Sequence, residues 1–338
     1  MASVRVGVIG AGWIGLDHMR RLTQVVPGAE VTAVTDVDAE RAAQAAARFP
    51  ARTLPTGADL VAAPDVDAVL VTSWGPTHAE HVLNAVAAGK PVFCEKPLAT
   101  TAEDCLRIVK AEMASGRRLV QVGFMRRYDA GYRELKDVIT GNGIGAPLMV
   151  HCAHRNAGAP ASYTSPMAAQ DTAVHEIDVL RWLLDDEIVS AQVLTPRATG
   201  RRHPHLKDPQ FMLFETARGV RIDLEVFVNC QYGYDIQCEA VGETGVARLP
   251  DPAAVSLRSA GRHGRAVLQD WQHRFASAFD TELREWVAGV AAGGEPQGPS
   301  AWDGYAATVI TDAAVESLES DGQVVNVDLQ DRPVFYSP

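Results

Sequence analysis

The sequence contains little cysteine and no long apolar segment. Its 338 residues include five cysteines, an odd number, scattered without a C-x-x-C pair. A disulfide framework or a zinc site needs paired or clustered cysteines, so we expect free thiols. No stretch reaches the roughly 20 apolar residues that cross a bilayer, and the first residues lack the basic and apolar regions of a signal peptide. These absences predict a cytoplasmic protein without a membrane span.

Basic residues are also scarce relative to acidic ones. The chain has 31 Lys and Arg against 42 Asp and Glu, a formal net charge of −11. Nucleic acids and anionic membranes repel such a surface at long range, so neither is an expected partner, although local basic spots can still bind a nucleotide. With 47% hydrophobic residues, the chain is long enough for two domains that each bury a core.

The first 123 residues alternate short β-branched runs with helical stretches. Continuous apolar runs, typical of buried parallel strands, occur at 4–9, 31–35, 68–72, 91–94 and 119–122. Spacing and composition between them predict helices at 14–24, 39–48, 77–88 and 102–115. Alternation of strands and helices at this pace predicts a doubly wound parallel sheet with right-handed crossovers.

After about residue 123, helices no longer separate the strands. Helices are predicted at 124–140, 171–184, 271–292 and 301–320, a strand at 148–154, and several strands between 188 and 257. Consecutive strands without crossovers pair as antiparallel neighbours. The predicted fold class is therefore α/β + α+β. An N-terminal nucleotide-binding domain spans 1–123, and a C-terminal α+β substrate domain with a large, mostly antiparallel open sheet spans 124–338.

The segment GAGWIG at residues 10–15 matches the pattern G-x-G-x-x-G directly after the first predicted strand. Gly10 permits the tight turn, Gly12 lets the backbone approach a pyrophosphate, and Gly15 lets the helix pack closely on the strand. The helix N-terminus then offers N–H groups to the phosphates. These features predict a Rossmann domain whose cofactor site includes Gly10, Gly12, Trp13, Ile14 and Gly15.

Asp36 closes the second predicted strand, about 20 residues after Gly15, where a carboxylate binds the adenosine ribose. It would repel a 2′-phosphate, and no arginine occupies the next four positions. We therefore predict NAD rather than NADP as the cofactor. The alternative is structural, with Asp36 acting as the N-cap of a helix over 38–48.

Cys94-Glu95-Lys96-Pro97 ends another predicted parallel strand, at the sheet edge where α/β folds bind ligands. This position favours a functional role for Lys96 beside the nicotinamide. A lysine cation there would stabilise developing alkoxide character on a substrate oxygen. The alternative is an ordinary surface lysine that precedes a helix.

Asp171, His175 and Asp178 are spaced i, i+4 and i+7 on a predicted helix and therefore share one face. Oxidation of a C–OH group needs a base for the hydroxyl proton. Histidine titrates near neutral pH, and a neighbouring carboxylate orients it and stabilises its charged form. In the alternative, Asp171 is a helix N-cap and His175 is a satisfied buried histidine.

The remaining histidines do not form a metal set. His78 and His81 share a helix face, but no carboxylate or cysteine completes ligand spacing. His151 and His154 are three apart on a strand and point to opposite faces. Hydride transfer to NAD requires no metal, and none is predicted.

Together these motifs resemble those of the Gfo/Idh/MocA oxidoreductases, which couple a nucleotide-binding domain with a Glu-Lys-Pro motif to an α+β domain with an open sheet. Within that family the chain is most similar to the bacterial inositol 2-dehydrogenases, along nearly its whole length. The segments that carry the resemblance are VTSWGPTH (71–78), FCEKPLATTAE (93–103), LVQVGFMRRYD (119–129), HCAHRN (151–156), HLKDPQ (205–210), YGYDIQCE (232–239) and GPSAWDGY (298–305).

The resemblance implies NAD-dependent oxidation of myo-inositol at C2 to scyllo-inosose, by a homotetramer whose large sheets pack together. It implies that the proton chemistry is carried by Lys96, Asp171 and His175. Further implied cofactor contacts are Ser73, Trp74, His78, Glu95 and Lys96. The implied polyol contacts are Met125, Arg126, Asn156, Asp178 and Tyr234.

Two alternatives remain open. One is a dehydrogenase of D-chiro-inositol, scyllo-inositol or an aldose, because small pocket changes decide which hydroxyl faces the nicotinamide. The other is a non-catalytic NAD-sensing regulator on the same fold. Such a regulator would have no reason to keep both Lys96 and His175.

Overall fold

The computed structural model describes residues 3–253 and 255–337. The chain forms two compact units, each made of more than one segment. Unit 1 contains the residues up to Phe124, Phe279–Thr308 and those from Asp331 onward, whereas unit 2 contains Met125–Ala278 and Val309–Gln330. The first segment thus ends one residue beyond the predicted boundary. The units differ from the predicted domains in that two later segments belong to unit 1.

Unit 1 is built on a six-stranded sheet with the order β3-β2-β1-β4-β5-β6. All five strand pairs are parallel, which confirms the predicted doubly wound sheet. The strands are β1 (Val4–Ile9), β2 (Ala29–Thr35), β3 (Arg52–Thr53), β4 (Ala68–Val71), β5 (Val92–Glu95) and β6 (Val120–Gly123). The helices are α1 (Trp13–Gln24), α2 (Ala39–Arg48), α3 (Gly57–Ala62), α4 (His78–Ala87) and α5 (Ala102–Ser115).

The central strands of this sheet are buried along their whole length. Every residue of β4, β5 and β6 is buried, which explains their unbroken apolar runs, because helices cover both faces of a parallel sheet. Met19 and Leu22 of α1 pack in one cluster with Phe93 and Trp286. β3 and α3 were not predicted, because they are too short to show a periodic pattern.

Unit 2 contains a seven-stranded sheet with the order β12-β11-β7-β10-β9-β8-β15. Only the β7–β10 pair is parallel; the other five are antiparallel, which confirms the predicted mostly antiparallel sheet. Its strands are β7 (Pro147–Arg155), β8 (Ile188–Leu194), β9 (Gln210–Thr216), β10 (Arg221–Phe227), β11 (Asp235–Gly242), β12 (Val246–Arg248) and β15 (Val325–Asn326). A separate hairpin is formed by β13 (Ser256–Ser259) and β14 (Arg262–Arg265).

Two predicted helices of the second half begin differently from expectation. The predicted helix 124–140 is a 3₁₀ turn, Met125–Tyr128, followed by α6 (Ala130–Thr140). Asp129 separates them because its side chain accepts the Tyr132 N–H and caps α6. The predicted helix 171–184 is a π-helix, Ala168–Ala173, which continues into α7 (Val174–Leu184).

The last two predicted helices are close to the observed ones. The predicted helix 271–292 is divided into α8 (Trp271–Arg274) and α9 (Ala276–Ala291), with Phe275 ending α8 as its C-cap. The predicted helix 301–320 is α10 (Ala301–Glu319). Local helical pattern therefore located these helices, although it did not show the break at Phe275.

Three absences hold for the described residues. None of their helices has the length and apolar character needed to span a membrane. No three His, Cys, Asp or Glu side chains among them are grouped as a metal site. The five cysteines are free, and only Cys230 is not fully buried.

Candidate active site

The glycine-rich turn joins β1 to α1, and its three glycines have different surroundings. Gly10 has a φ of 101°, and a Cβ there would lie 2.5 Å from the Ser73 nitrogen. A Cβ on Gly15 would lie 2.1 Å from the Gly10 oxygen. A Cβ on Gly12 would meet nothing within 4 Å. The protein's own packing therefore requires glycine at positions 10 and 15, whereas the space beside Gly12 is open to a ligand.

The first turn of α1 has no side-chain cap. Gly12 occupies the N-cap position without a side-chain hydrogen bond, and the first turn contains no acidic residue. Helix N-termini attract phosphate through their N–H groups and dipole. Trp13 is exposed and Ile14 is half-buried at this turn. The open space at Gly12 and the helix start together fit the pyrophosphate of a dinucleotide.

Asp36 connects the end of β2 to the glycine-rich turn. Its Oδ2 accepts the Ala11 N–H at 2.7 Å, and its Oδ1 accepts the Asp38 N–H at 2.9 Å. The Arg41 Nη1 lies 3.3 Å from Oδ1. The alternative in which Asp36 caps the following helix is wrong, because Asp38 caps α2 by accepting the N–H groups of Glu40 and Arg41.

Ser73, Trp74 and His78, which the resemblance implies as cofactor contacts, follow β4 in the chain. Trp74 is 77% exposed, whereas His78 is only 2% exposed. The two ring nitrogens of His78 lie 2.7 Å from the Pro97 oxygen and 2.9 Å from the Ser73 oxygen. His78 therefore ties the loop after β4 to the loop after β5, and the Ser73 hydroxyl is held by Thr77 at 2.8 Å.

The Glu-Lys-Pro motif lies at the carboxyl end of β5. Glu95 is its last residue and is buried, whereas Lys96 is half-buried in the following loop. The Glu95 Oε1 lies 2.7 Å from Nε2 of His18. The Glu95 Oε2 accepts the Lys96 backbone N–H at 3.2 Å. The backbone of Lys96, directly after β5, is thus held by the buried carboxylate of Glu95.

Asp171 and His175 lie on consecutive helical segments of unit 2. Asp171 belongs to the π-helix and is exposed, whereas His175 is in the first turn of α7 and is half-buried. The predicted single α-helical face is therefore wrong for Asp171. A π-helical turn contains more residues than an α-helical one and often occurs at functional sites. Thr172 is fixed beside Asp171 by a 2.6 Å hydrogen bond with the Tyr163 hydroxyl.

Asp178 has a different environment from the other two members of the predicted triplet. It is fully buried at 0% exposure. Arg127 Nε and Nη2 donate to its two oxygens at 2.9 and 2.5 Å, a bidentate geometry. The structure therefore commits both carboxylate oxygens of Asp178 to Arg127.

Arg126 is the centre of a second buried ion pair. It is 1% exposed and pairs with Glu176, while its Nη2 lies 3.1 Å from His154 Nδ1. The Glu176 Oε2 lies 2.9 Å from the same nitrogen. Burial alone would raise the pKa of Glu176, but the charges of Arg126 and His154 lower it below its ordinary value. Arg126 and Glu176 are thus both charged in the folded protein.

The other three predicted polyol contacts are Met125, Asn156 and Tyr234, of which Tyr234 packs against this cluster. Tyr234 is 5% exposed and meets His154 edge-on, with ring centroids 5.6 Å apart. Burial raises the pKa of Tyr234 to about 12, so its hydroxyl remains protonated at neutral pH. Met125 is also buried, whereas Asn156 is half-buried directly after β7. Asn156 is held by backbone hydrogen bonds with Phe227 and Cys230.

Several buried or half-buried polar partners of these residues were not predicted from the sequence. His18, Arg127, His154 and Glu176 contact predicted site residues, yet none was predicted to have a role. For His18 a signal existed, since it lies three positions after Gly15 on the buried face of α1. Glu176 follows His175 directly, and a buried glutamate among apolar helix residues requires a partner.

Two family models match the chain. The model described as "Oxidoreductase family, NAD-binding Rossmann fold" of Gfo/Idh/MocA matches residues 4–124. The model described as "Oxidoreductase family, C-terminal alpha/beta domain" matches residues 136–327. Together they cover most of both units.

Named proteins and a solved structure resemble the chain over its full length. The inositol 2-dehydrogenase 3 of Saccharopolyspora erythraea is 69% identical, over 99% of this chain and 98% of that protein. The inositol 2-dehydrogenase of Ralstonia nicotianae is 60% identical, over 99% of each. The myo-inositol dehydrogenase of Lactobacillus casei, crystallised with NAD(H) and myo-inositol, has a TM-score of 0.97 and 43% identity, over 99% of this chain and 100% of that one.

Proposed function

The chain belongs to the Gfo/Idh/MocA oxidoreductase family, and on that premise we propose that it is an inositol 2-dehydrogenase. It oxidises the C2 hydroxyl of myo-inositol to the ketone scyllo-inosose with NAD. The observation that carries the proposal is the 69% identity to an inositol 2-dehydrogenase along 99% of the chain. The resemblance identified from the sequence motifs is thereby confirmed.

NAD, when bound, would supply the acceptor for the hydride of C2. We propose that the glycine-rich turn and the start of α1 hold its pyrophosphate, since the space beside Gly12 is open. Asp36 holds the adenosine ribose through its carboxylate. The nicotinamide half is proposed to contact Ser73, Trp74, Glu95 and Lys96, with His78 fixing the two loops that carry them.

The chain's own residues handle the proton. As the C2–H bond breaks with its electron pair, the O–H bond also breaks and C=O forms. His175 is proposed to accept the hydroxyl proton, with Asp171 orienting it and stabilising its charged form. Lys96 stabilises the alkoxide character that develops on the same oxygen. No oxidant other than NAD is required for this balance.

Recognition of the polyol is assigned to residues of unit 2. Asn156, Met125 and Tyr234 are proposed to contact ring hydroxyls or the ring itself. Arg126 and Asp178 have at most 1% exposure. We therefore propose that these two act through their ion pairs with Glu176 and Arg127, by which they fix the neighbouring contact residues. Specificity for one hydroxyl pattern needs such fixed polar groups.

We also propose that the protein is a cytoplasmic homotetramer, as the family resemblance implies. The seven-stranded sheet supports an interface between copies, because it carries large exposed apolar side chains. These are Leu148, Met149, Val189, Leu194 and Val246, with exposures between 38% and 56%. Light scattering coupled to gel filtration tests the assembly, and a monomer at micromolar concentration would contradict it.

The reaction is tested by following NADH absorbance with purified protein. NAD or NADP is combined with myo-inositol, D-chiro-inositol, scyllo-inositol and a set of aldoses. We expect rapid reduction of NAD with myo-inositol and the highest kcat/KM for that isomer. Reduction with another polyol alone would redirect the assignment, and NAD binding without any turnover would favour a sensor.

A further inference from the structure

We infer that His18 is a positioning residue for the reaction, acting through Glu95 on the backbone that carries Lys96. The inference deepens the proposed function, since it rests on the role of Lys96 in catalysis. All residues involved belong to unit 1. His18 lies on α1, which starts at the glycine-rich turn. The inference therefore connects the cofactor motif to the lysine motif through a single carboxylate.

Two hydrogen bonds of the Glu95 carboxylate connect α1 to the backbone of Lys96. His18 is 0% exposed, and its Nε2 lies 2.7 Å from the Glu95 Oε1. The other oxygen of Glu95 accepts the Lys96 N–H at 3.2 Å. One oxygen of the Glu95 carboxylate thus contacts α1, and the other contacts the loop after β5. A movement of Glu95 would change the peptide from which the Lys96 side chain extends.

The surroundings leave the histidine–glutamate pair little freedom. The His18 ring packs against Phe93 and Phe279, with ring centroids 6.0 and 5.7 Å apart. A Cβ on Gly123 would lie 3.1 Å from the Glu95 carboxylate. Apolar rings therefore confine one partner, while a glycine provides the space for the other.

The environment of the second ring nitrogen defines how His18 acts. Within the described residues, His18 Nδ1 is buried and has no hydrogen-bond partner. A buried N–H without an acceptor is more costly than a bare lone pair in an apolar setting. Nε2 is therefore the ring nitrogen that donates, and its acceptor is the Glu95 carboxylate. A glutamine can supply a similar N–H, whereas a phenylalanine fills the space without a donor.

Loss of that donor would release Glu95. A buried carboxylate without its partner is unfavourable, so it would turn toward water. This movement weakens its hold on the Lys96 N–H. Misplacement of a catalytic group by about 1 Å can lower turnover on the order of 100-fold. The effect should be larger in kcat than in NAD affinity, because the proposed pyrophosphate and ribose contacts at the glycine-rich turn and Asp36 are unchanged.

The kinetic test compares His18→Phe, His18→Gln and Met19→Ala in the full-length enzyme. We expect His18→Phe to lower kcat with myo-inositol about 10- to 100-fold, with NAD affinity within about threefold of wild type. His18→Gln should recover most of the lost turnover. Met19 is the next residue on α1 and is also fully buried. Met19→Ala should lower the melting temperature but leave kcat unchanged, so that general destabilisation is distinguished from positioning.

A second readout needs no polyol and separates this inference from the proposed function. The chain has five lysines, so reductive methylation with ¹³C-formaldehyde gives few NMR signals. The Lys96 signal is identified by its absence in Lys96→Arg. We expect it to shift or broaden in His18→Phe and to stay in place in His18→Gln and Met19→Ala. An unchanged Lys96 signal in His18→Phe overturns the inference, even if no polyol reduces NAD. With an active wild type, an unchanged kcat in His18→Phe also overturns it.

Discussion

The Asp36 carboxylate accepts a hydrogen bond from the backbone N–H of Ala11, with 2.7 Å between Ala11 N and Asp36 Oδ2. This bond joins the end of β2 to the glycine-rich turn. The carboxylate assigned to the adenosine ribose therefore also fixes the turn assigned to the pyrophosphate. Arg41 lies 3.3 Å from the second oxygen of the same carboxylate.

Replacement of Asp36 by alanine should shift the cofactor preference toward NADP. The substitution removes the ribose acceptor and leaves a nearby arginine, a residue that accommodates a 2′-phosphate. We expect the ratio of kcat/KM for NAD to that for NADP to fall about 10- to 100-fold, because hydrogen bonds to a charged group contribute about 1.5–3 kcal/mol. Initial rates with each cofactor measure this ratio.

Asp38→Ala is the matched control for Asp36. It removes the cap of α2, which should cost about 1 kcal/mol of stability, while the contact to Ala11 remains. We expect its cofactor ratio to equal that of wild type. An unaltered ratio in Asp36→Ala would place the selectivity on other residues.

Replacement of Lys96 or His175 by alanine should abolish most turnover without preventing NAD binding. A positioned acid or base contributes about 10²- to 10⁴-fold to a rate, so kcat with myo-inositol should fall by that factor in each variant. NAD affinity, measured by calorimetry, should stay within a few-fold of wild type. Lys110, exposed on α5, is the control, and Lys110→Ala should keep wild-type kcat. Wild-type turnover in Lys96→Ala or His175→Ala would refute the assigned role.

The rate of inositol oxidation should rise with pH through a single ionisation. His175 must be neutral to accept the hydroxyl proton, so the active fraction of the enzyme increases as its imidazolium loses a proton. Steady-state kcat at saturating NAD, measured across neutral pH, gives the profile. In His175→Ala the residual rate should lose this step. A flat wild-type profile, under conditions where hydride transfer limits the rate, would contradict the role of His175.

Glu176 should stabilise unit 2 at neutral pH but not in acid. Burial alone would raise the pKa of Glu176, but Arg126 and His154 lower it below its ordinary value. Its contribution is therefore complete above the pKa of glutamate in the unfolded chain. It is lost as pH falls through the lower folded value. Glu176→Gln should reduce the free energy of unfolding by about 3–5 kcal/mol at neutral pH, and the difference should shrink in acid.

Urea unfolding at neutral and acidic pH measures this difference. Glu225→Gln is the control, because Glu225 pairs with Arg155 in a partly exposed setting, where a pair is worth about 0–1 kcal/mol. Equal losses for the two glutamates at neutral pH would count against a special role of the buried pair.

Five of the six strands of the parallel sheet were predictable from sequence, because the central strands are buried on both faces. Val69–Val71 and Val92–Cys94 read as unbroken apolar runs, and every one of these residues is buried in the structure. The glycine pattern then located the cofactor turn. Local pattern determines such a fold since each strand is followed by its own crossover helix.

The parallel pairing of β7 with β10 was not predictable from the same reasoning. Met149 pairs with Arg221, and the partner strands are separated by two other strands in the chain. Alternation of apolar residues shows that a strand has a buried face but not which distant strand pairs with it. The rule that consecutive strands pair antiparallel holds for β8, β9 and β10. It does not predict which strand pairs with β7.

The candidate site likewise contains residues that the sequence indicates and contacts that it does not. Lys96, Asp171 and His175 stood out through their position and spacing, whereas the contact of His18 with Glu95 joins residues far apart in sequence. The π-helix that contains Asp171 was also hidden, because one additional residue per turn changes the hydrophobic pattern little. Chemistry-bearing residues are thus visible in the sequence, but the buried partners that fix them emerge from the fold.

The most direct test of the central claim is the fate of the C2 hydrogen. Myo-inositol carrying deuterium only at C2 is oxidised with NAD, and the reduced cofactor is analysed by mass spectrometry. We predict that the nicotinamide gains one deuterium and that the ketone product is scyllo-inosose. Deuterium retained in the ketone, with unlabelled NADH formed, would show that another carbon is oxidised and would contradict the assignment.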